Sequence, residues 1–258
     1  MTQETNETYT FAAATFLNAA PLAAFLPQVD PRVRLFHGPP SELMAHVLSG
    51  RADAAMVPVF AFFNTPGVKM IEGISISSFG DVRSVWLKCH RPLDQIRSVA
   101  PDPASNSSNA MARILLKKHF GLNVPMETPH DGQAPDATVV IGDRALCQPP
   151  GQFGDYDLAG IWTEMTSLPF VYAVWAYRAD NPKADELSRI AHAAKAAGLA
   201  ALEQLADLHA PKLALSREEC LEYVSDLLIY DLGPREIEGM ELFGTMLAEL
   251  DSGGGPGQ

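Results

Sequence analysis

Cations are scarce in this chain: its 258 residues include 19 Lys and Arg against 31 Asp and Glu, a formal net charge of −12. Neutralising a phosphate backbone needs clustered Lys and Arg, so nucleic acid is excluded as a partner. An anionic small ligand is not, because a local pocket can oppose the global field. Cysteine is also scarce. Cys89, Cys147 and Cys220 are far apart and form no C-x-x-C, which gives neither a disulfide framework nor zinc spacing, and a reducing cytoplasm fits best. The opening stretch MTQETNETYTFAAATFLNAAPL has no Lys or Arg and so lacks the positive n-region of a secretory signal. No apolar run reaches the length of a membrane span, so no membrane partner is expected. GxSxG, a P-loop, GxGxxG and HExxH are all missing. His37, His46, His90, His119, His130, His192 and His209 show no metal spacing, and no metal or cofactor is expected. His119 and His192 fall in predicted helices and His209 near a helix end, where solvated roles are the default.

What is present is enough apolar residue, 47%, for a proper core. The length suits one large domain or two lobes. YTFAAATF reads as a strand that stops at LNAAPLAAFL, a loop or helix start. PPSELMAHVLSG reads as a short helix, with Ser41 as N-cap, an apolar stripe of Leu43, Met44, Val47 and Leu48, and Gly50 at its end. AAMVPVF is a short buried strand or loop, and SVWLKC and IRSVAPD are strands. NAMARILLKKHFG is a helix ending at Gly121. ATVVIGD, with four β-favouring residues in a row, is a buried strand, and FVYAVWAY is another. Residues 180–210 read as one long helix with Asn181 as N-cap and Pro182 in the first helical position. SREECLEYVSDLLIY and PREIEGMELFGTMLAEL are two more. The first six residues and the tail DSGGGPGQ have no apolar anchors and are expected to be disordered. Strands alternating with helices point to an α/β fold with largely parallel sheets.

Two stretches match in pattern. SISSFGDVRSVWLKC and TEMTSLPFVYAVWAYR each begin with small polar residues and become apolar strands. As paired crossovers they would divide the chain into one lobe of residues 1–83 plus 179–258 and another of 84–178, with the cleft lined by their polar starts. One continuous sheet is a competing arrangement. Trp162 and Trp175 read as core. The turn SNSSN precedes a helix, whose first N–H groups favour an anion. One cap needs one residue and this turn offers five, so capping and anion binding stand at even weight. VVIGDRAL puts Gly142 and Asp143 at the end of a buried strand, where ligands of open α/β sheets gather. Asp143 is either a cap for the next helix or a contact to a ligand hydroxyl.

FLNAAPL, GRADAAMVP, DVRSVWL, DPASNSSNAMARILL, VVIGDRAL and YDLAGIWTEMTSLPFVYAVWAYR occur together, in that order, over residues 15–178. In this the chain resembles the chorismate dehydratase family of the futalosine route to menaquinone. The resemblance implies a type II periplasmic-binding-protein-like fold: two α/β lobes, two crossover strands and a ligand cleft. It implies a hydro-lyase that converts chorismate to 3-enolpyruvylbenzoate and water, with a small dicarboxylate as substrate and the protein a monomer or homodimer. It implies Asn18 as the catalytic residue that orients the substrate and assists departure of its hydroxyl. Ser84, Ser107, Ser108 and Asn109 would hold carboxylates. Asp143 would be the one carboxylate at hand, and Thr166 with the backbone of Phe170 and Val171 the opposing wall. The chain departs from the family in three places. Its helix-start turn reads Ser105-Asn106-Ser107-Ser108 where the family has Ser-x-Thr-Ser, Ser167 stands for a family Gly, and Tyr172 stands for Phe. If that Gly needs positive φ, Ser167 is strained. A related naphthoate synthase of the same route and a non-catalytic small-anion binding protein are the alternatives.

Overall fold

The computed structural model describes residues 7–127, 134–149, 151 and 153–252. His130, residues 1–6 and residues 253–258 lie outside the described residues; of the tail expected to be disordered from Asp251 on, Asp251 and Ser252 instead end the last helix. The described strands form two mixed sheets. The first takes β1 (Tyr9–Ala13), β2 (Val33–His37), β3 (Ala54–Pro58), β4 (Val68–Ser78) and β9 (Phe170–Arg178), in the order β2-β1-β3-β9-β4. The second takes β5 (Val85–Cys89), β6 (Val99–Ala100), β7 (Ala137–Ile141) and β8 (Asp155–Asp157), in the order β6-β7-β5-β8. The helices are α1 (Ala20–Ala23), α2 (Leu26–Val29), α3 (Pro40–Leu48), α4 (Val59–Phe63), α5 (Asn106–Lys118), α6 (Gly142–Leu146) and α7 (Leu158–Thr166), then α8 (Ala184–Leu199), α9 (Leu202–Leu213), α10 (Arg217–Glu222) and α11 (Pro234–Ser252).

The sheets are less parallel than the alternation of elements suggested. β1 pairs parallel with β2 and β3, and β6 with β7, but β9 runs antiparallel to β3 and β4, and β5 antiparallel to β7 and β8. The cause is the path of the chain, which leaves the first sheet after β4 and re-enters it as β9 between β3 and β4. The crossings are therefore the connections at 79–84 and 167–169, and not the apolar strands beside them. β9 was expected with the second lobe; its pairing with β3 and β4 puts residues 170–178 in the first sheet.

Several predicted elements change at their ends. Ser41 lies one residue inside α3, whose N-cap position is Pro39; Gly50, at φ +73°, does end that helix. The strand read over IRSVAPD is ordered as β only at Val99–Ala100. The long helix of 180–210 starts at Ala184, not after Asn181, whose side chain instead accepts from the Lys183 amide. It also breaks at Ala200–Ala201. Near that break Gly198 lies so close to the Pro21 carbonyl that a Cβ there would collide with it. SREECLEYVSDLLIY is helical only to Glu222. A π-helical turn follows at Tyr223–Leu227, and the chain then extends so that Ile229 bridges Ser77 of β4. That extension satisfies amides on the outer edge of β4, which a continued helix would leave unpaired. The polar run Thr163–Ser167 is not the start of a strand: it is the end of α7 and its C-cap.

The two tryptophans are core, as read. Trp162 is fully buried edge-on to Phe170, which packs edge-on to Phe243 of α11, and Trp175 is fully buried against Phe11. The Trp162–Phe170–Phe243 cluster ties the second crossing to α7 and α11.

Candidate active site

A cavity of about 680 Å³, including its open mouth, draws its lining from both sheets. The first sheet and its loops supply Ala14, Phe16, Asn18, Met56, Ile76, Tyr172 and Ala173; the second supplies Ser84, Val85, Ile141 and Gly142, with Ser105, Ser107 and Ser108 from the start of α5. No Lys, Arg, His, Asp or Glu occurs among these lining residues. The polar groups are hydroxyls, one side-chain amide and backbone.

Three serines share one property. Ser107 Oγ accepts from the Phe60 amide at 3.1 Å. Ser108 Oγ accepts from Ser105 Oγ at 3.0 Å, and Ser84 Oγ accepts from the Tyr223 hydroxyl at 2.8 Å. In each case the protein occupies an acceptor position, and no protein acceptor takes the serine's own proton among the described residues. These protons remain for a ligand oxygen, which makes the cavity rich in donors. The α5 terminus adds to this. Ser105 is its N-cap, accepting from the Ser108 amide at 3.1 Å, and the amides of Asn106 and Ser107 precede the first i→i−4 bond of the helix. The helix dipole there favours an anion. The five-residue turn thus serves as both cap and cavity wall. Serine in place of threonine at Ser107 keeps the hydroxyl and its bond to Phe60.

Gly142 is needed at the end of β7. Its φ is +65°, its amide donates to the Ser84 carbonyl at 2.8 Å, and the Phe16 ring lies 3.6 Å from where a Cβ would stand. Asp143 follows it, with one carboxylate oxygen accepting from the Leu17 amide at 3.0 Å. Burial raises the Asp143 carboxyl above its ordinary range and the Leu17 amide partly offsets this. Asp143 does not line the cavity; it tethers the loop that carries Asn18.

The other predicted residues divide sharply. Asn18, Ser84, Ser107 and Ser108 converge on the cavity. Asn109 does not: its side-chain carbonyl accepts from the Asp102 amide and its NH₂ donates to the Asp102 carbonyl, so both ends are spent on the turn. Thr166 Oγ1 donates to the Trp162 carbonyl one helical turn back and accepts from the Leu168 amide, away from the cavity. Phe170 is core, and Val171 is buried opposite Ser77. The opposing wall is instead Tyr172 and Ala173, adjacent residues at a register shift of β9 against β4, where Val171 pairs with Ser77 and Ala173 with Ile76 and Tyr172 is the extra residue between them. Tyr172, the departure from phenylalanine, places its hydroxyl 2.7 Å from Ser78 Oγ. Sequence reading missed Tyr223, whose hydroxyl meets Ser84 from the π-helical turn. Burial pushes the phenols of Tyr172 and Tyr223 well above their ordinary range, so both stay protonated near neutral pH.

Among the described residues no group of three or more His, Cys, Asp or Glu side chains is placed to hold a metal ion.

The menaquinone biosynthesis family model matches residues 9–249. The chain belongs to that family. Its similarity to the chorismate dehydratase of Thermus thermophilus is 31% identity over 229 residues, covering 80% of this chain and 83% of that protein. Among solved structures, the periplasmic aliphatic sulphonate binding protein SsuA of Escherichia coli aligns with a TM-score of 0.64 at 15% identity, covering 95% of this chain and 93% of that one. A Candida albicans gene product described as having the generic periplasmic binding protein structural fold aligns with a TM-score of 0.59 at 12% identity over 95% of each chain. This member of the menaquinone biosynthesis family therefore has a periplasmic-binding-protein-like α/β fold, and its cavity lies where residues of both sheets meet.

Proposed function

We propose that this protein is a chorismate dehydratase that forms 3-[(1-carboxyvinyl)oxy]benzoate and water. The observation that carries the reading is the uncharged, donor-rich cavity in a family-matched chain: it suits a carboxylated substrate and, among the described residues, offers no protein base. The reaction breaks the C3–H and C4–O bonds of chorismate, and the proton and the departing hydroxyl leave as water. Aromatisation supplies the driving force. The C3 hydrogen is vinylogous to the ring carboxylate, so donors on that carboxylate stabilise the charge that develops as the proton leaves. Ser107, Ser108 and the α5 amides are such donors. With Tyr172 the only ionisable side chain lining the cavity among the described residues, and that one held neutral, the base is the enolpyruvyl carboxylate of the substrate itself, held close to C3 by the fit of the cavity. Asn18 orients the substrate and donates to the departing hydroxyl.

In this reading the two sheets act as lobes that close on the substrate, with the crossings at 79–84 and 167–169 as the hinge. The three free thiols suit a reducing cytoplasm, and no helix among the described residues is long and apolar enough to cross a membrane.

The test is to incubate purified protein with chorismate and follow 3-enolpyruvylbenzoate by mass and ultraviolet absorbance. Product formation is expected. Asp143→Asn is expected to retain turnover, because the carboxylate tethers Leu17 and does not face the substrate. Folded wild-type protein that yields no product removes the assignment. An Asp143→Asn variant that binds substrate with wild-type affinity but does not turn over removes the substrate-as-base mechanism.

A further inference from the structure

The polar neighbour of Ser84 comes from a part of the chain that carries no recognisable motif. Tyr223 opens the π-helical turn after α10 and is 2% exposed. A π turn inserts one extra residue into the helical ladder and rotates the side chains around it, and such turns gather at functional sites. Here the segment is anchored on three sides. Glu222 pairs with Arg83 at 2.9 Å, Ile229 exchanges hydrogen bonds with Ser77 at 2.8 and 2.9 Å, and Leu228 lines the cavity. The Tyr223 hydroxyl is thereby held against Ser84 Oγ, with the Asn18 side chain as a second polar neighbour.

A serine hydroxyl has one proton, and its direction depends on which lone pair is occupied. We propose that Tyr223 is a positioning residue: by donating to Ser84 Oγ it turns the Ser84 proton into the cavity, toward a carboxylate oxygen of the substrate. The inference rests on the reading of the cavity as a chorismate site. Tyr223 itself neither touches the reacting atoms nor exchanges a proton. Without its hydroxyl, Ser84 is free to rotate and the cavity loses one oriented donor.

The experiment uses the full-length protein, with chorismate turnover and chorismate binding measured on wild type, Tyr223→Phe, Ser84→Ala and the double variant. Tyr223→Phe keeps the ring volume and is expected to lower kcat/KM about tenfold, the size of one lost hydrogen bond to the transition state. Ser84→Ala is expected to lose at least as much, and the double variant no more than Ser84→Ala alone, because Tyr223 acts only through Ser84. A purely structural Tyr223 gives additive losses. Additive losses overturn the proposal, as does a Tyr223→Phe variant equal to wild type. If Tyr223→Phe fails to fold, Ser84→Ala decides, since it removes the acceptor while the Tyr223 ring stays packed; unchanged kcat/KM in that variant also overturns the proposal. Wild type that neither binds nor converts chorismate removes the substrate reading and this inference with it. Active wild type with an unaffected Tyr223→Phe removes Tyr223 alone.

Discussion

The first passage between the sheets, at 79–84, gathers three of its amides on side-chain acceptors, and the second, at 167–169, has two of its carbonyls on side-chain donors. In the first, Gly80 N donates to Thr163 Oγ1 at 2.8 Å, and Val82 N and Arg83 N donate to one oxygen of Asp157 at 3.0 and 2.6 Å. The other Asp157 oxygen caps α7, accepting from the amides of Ala159 and Gly160 at 3.0 and 3.3 Å. A single buried carboxylate thus joins the first crossing to the helix that leads into the second. In the second, the Ser167 carbonyl accepts from Arg235 at 2.7 Å and the Pro169 carbonyl from Trp162 Nε1 at 3.3 Å. Gly239 of α11 lies so close to that Pro169 carbonyl that any side chain would collide with it. The first crossing depends on one ionisable acceptor, whereas the second depends on several donors and on packing. The first should therefore be easier to break at a single residue and sensitive to pH.

Asp157→Ala is the largest test of this difference. It strips four amides of their acceptor, two of them in the crossing, and is expected to cost about 3 kcal/mol of stability. Arg235→Ala removes an exposed donor and its contact over the Phe79 ring at 4.8 Å, and is expected to cost under about 1 kcal/mol. Urea unfolding of the two variants measures both. Equal losses, or a greater loss for Arg235→Ala, would show that the crossings do not differ in this way.

The same carboxylate gives the pH dependence. Burial pushes the Asp157 carboxyl up to about 6, with the nearby Asp81 charge adding to the rise and the amides of Arg83, Gly160 and Val82 opposing it. An unfolded aspartate titrates near 3.9. The folded state therefore holds this proton more tightly than the unfolded one. Its contribution to stability is fully present below about pH 4 and is lost as pH rises through about 6. Asp30 shows the opposite sign: hydrogen bonds from Arg32, with Arg189 adding to them, hold it down to about 2, so its contribution is present above pH 4 and is lost in acid. Asp157→Asn cannot titrate at this position. The advantage of wild type over Asp157→Asn in melting temperature is expected to shrink between pH 5 and pH 7; a flat difference over that range would rule out the raised carboxyl.

How much of this was legible depends on whether a feature is local. α3, α5, β7, β9 and α11 were legible because each carries its own periodicity over a continuous stretch. Asn18, Ser84, Ser107 and Ser108 were legible because they fall in motifs at strand ends and a helix start. Asn109, Thr166, Phe170 and Val171 fell in the same motifs, but which face of β9 meets the cavity, and which side chains a turn spends on itself, are decided by tertiary register. Tyr223 carried no signal, because YVSDLL reads as regular helix and the π turn arises from the pairing of Ile229 with an edge strand distant in sequence. Asp157 was hidden likewise: its amide partners at 82–83 are far from it along the chain.

The backbone angles of the two crossings permit a finer comparison. Each holds a non-glycine residue in the left-handed region, Arg83 at φ +61° and Ser167 at φ +59°. Ser167 is the C-cap of α7, a place where glycine avoids the Cβ clash. The left-handed region costs an L-residue about 1–2 kcal/mol, while glycine adds about 0.5–1 kcal/mol of unfolded-chain entropy. Ser167→Gly should therefore stabilise the protein by about 0.5–1 kcal/mol, since the carbonyl that accepts from Arg235 is retained. Arg83→Gly gains the same relief but gives up its exposed ion pair with Glu222, an interaction of roughly 0–1 kcal/mol, and should come out near zero. Paired thermal melts of the two variants read the difference directly. A rise in melting temperature for Ser167→Gly and none for Arg83→Gly would assign the strain at the second crossing to the backbone alone, and the first to a residue kept in a costly conformation by the partner that its side chain reaches. Equal rises would mean that the Arg83–Glu222 pair contributes nothing to holding the first crossing.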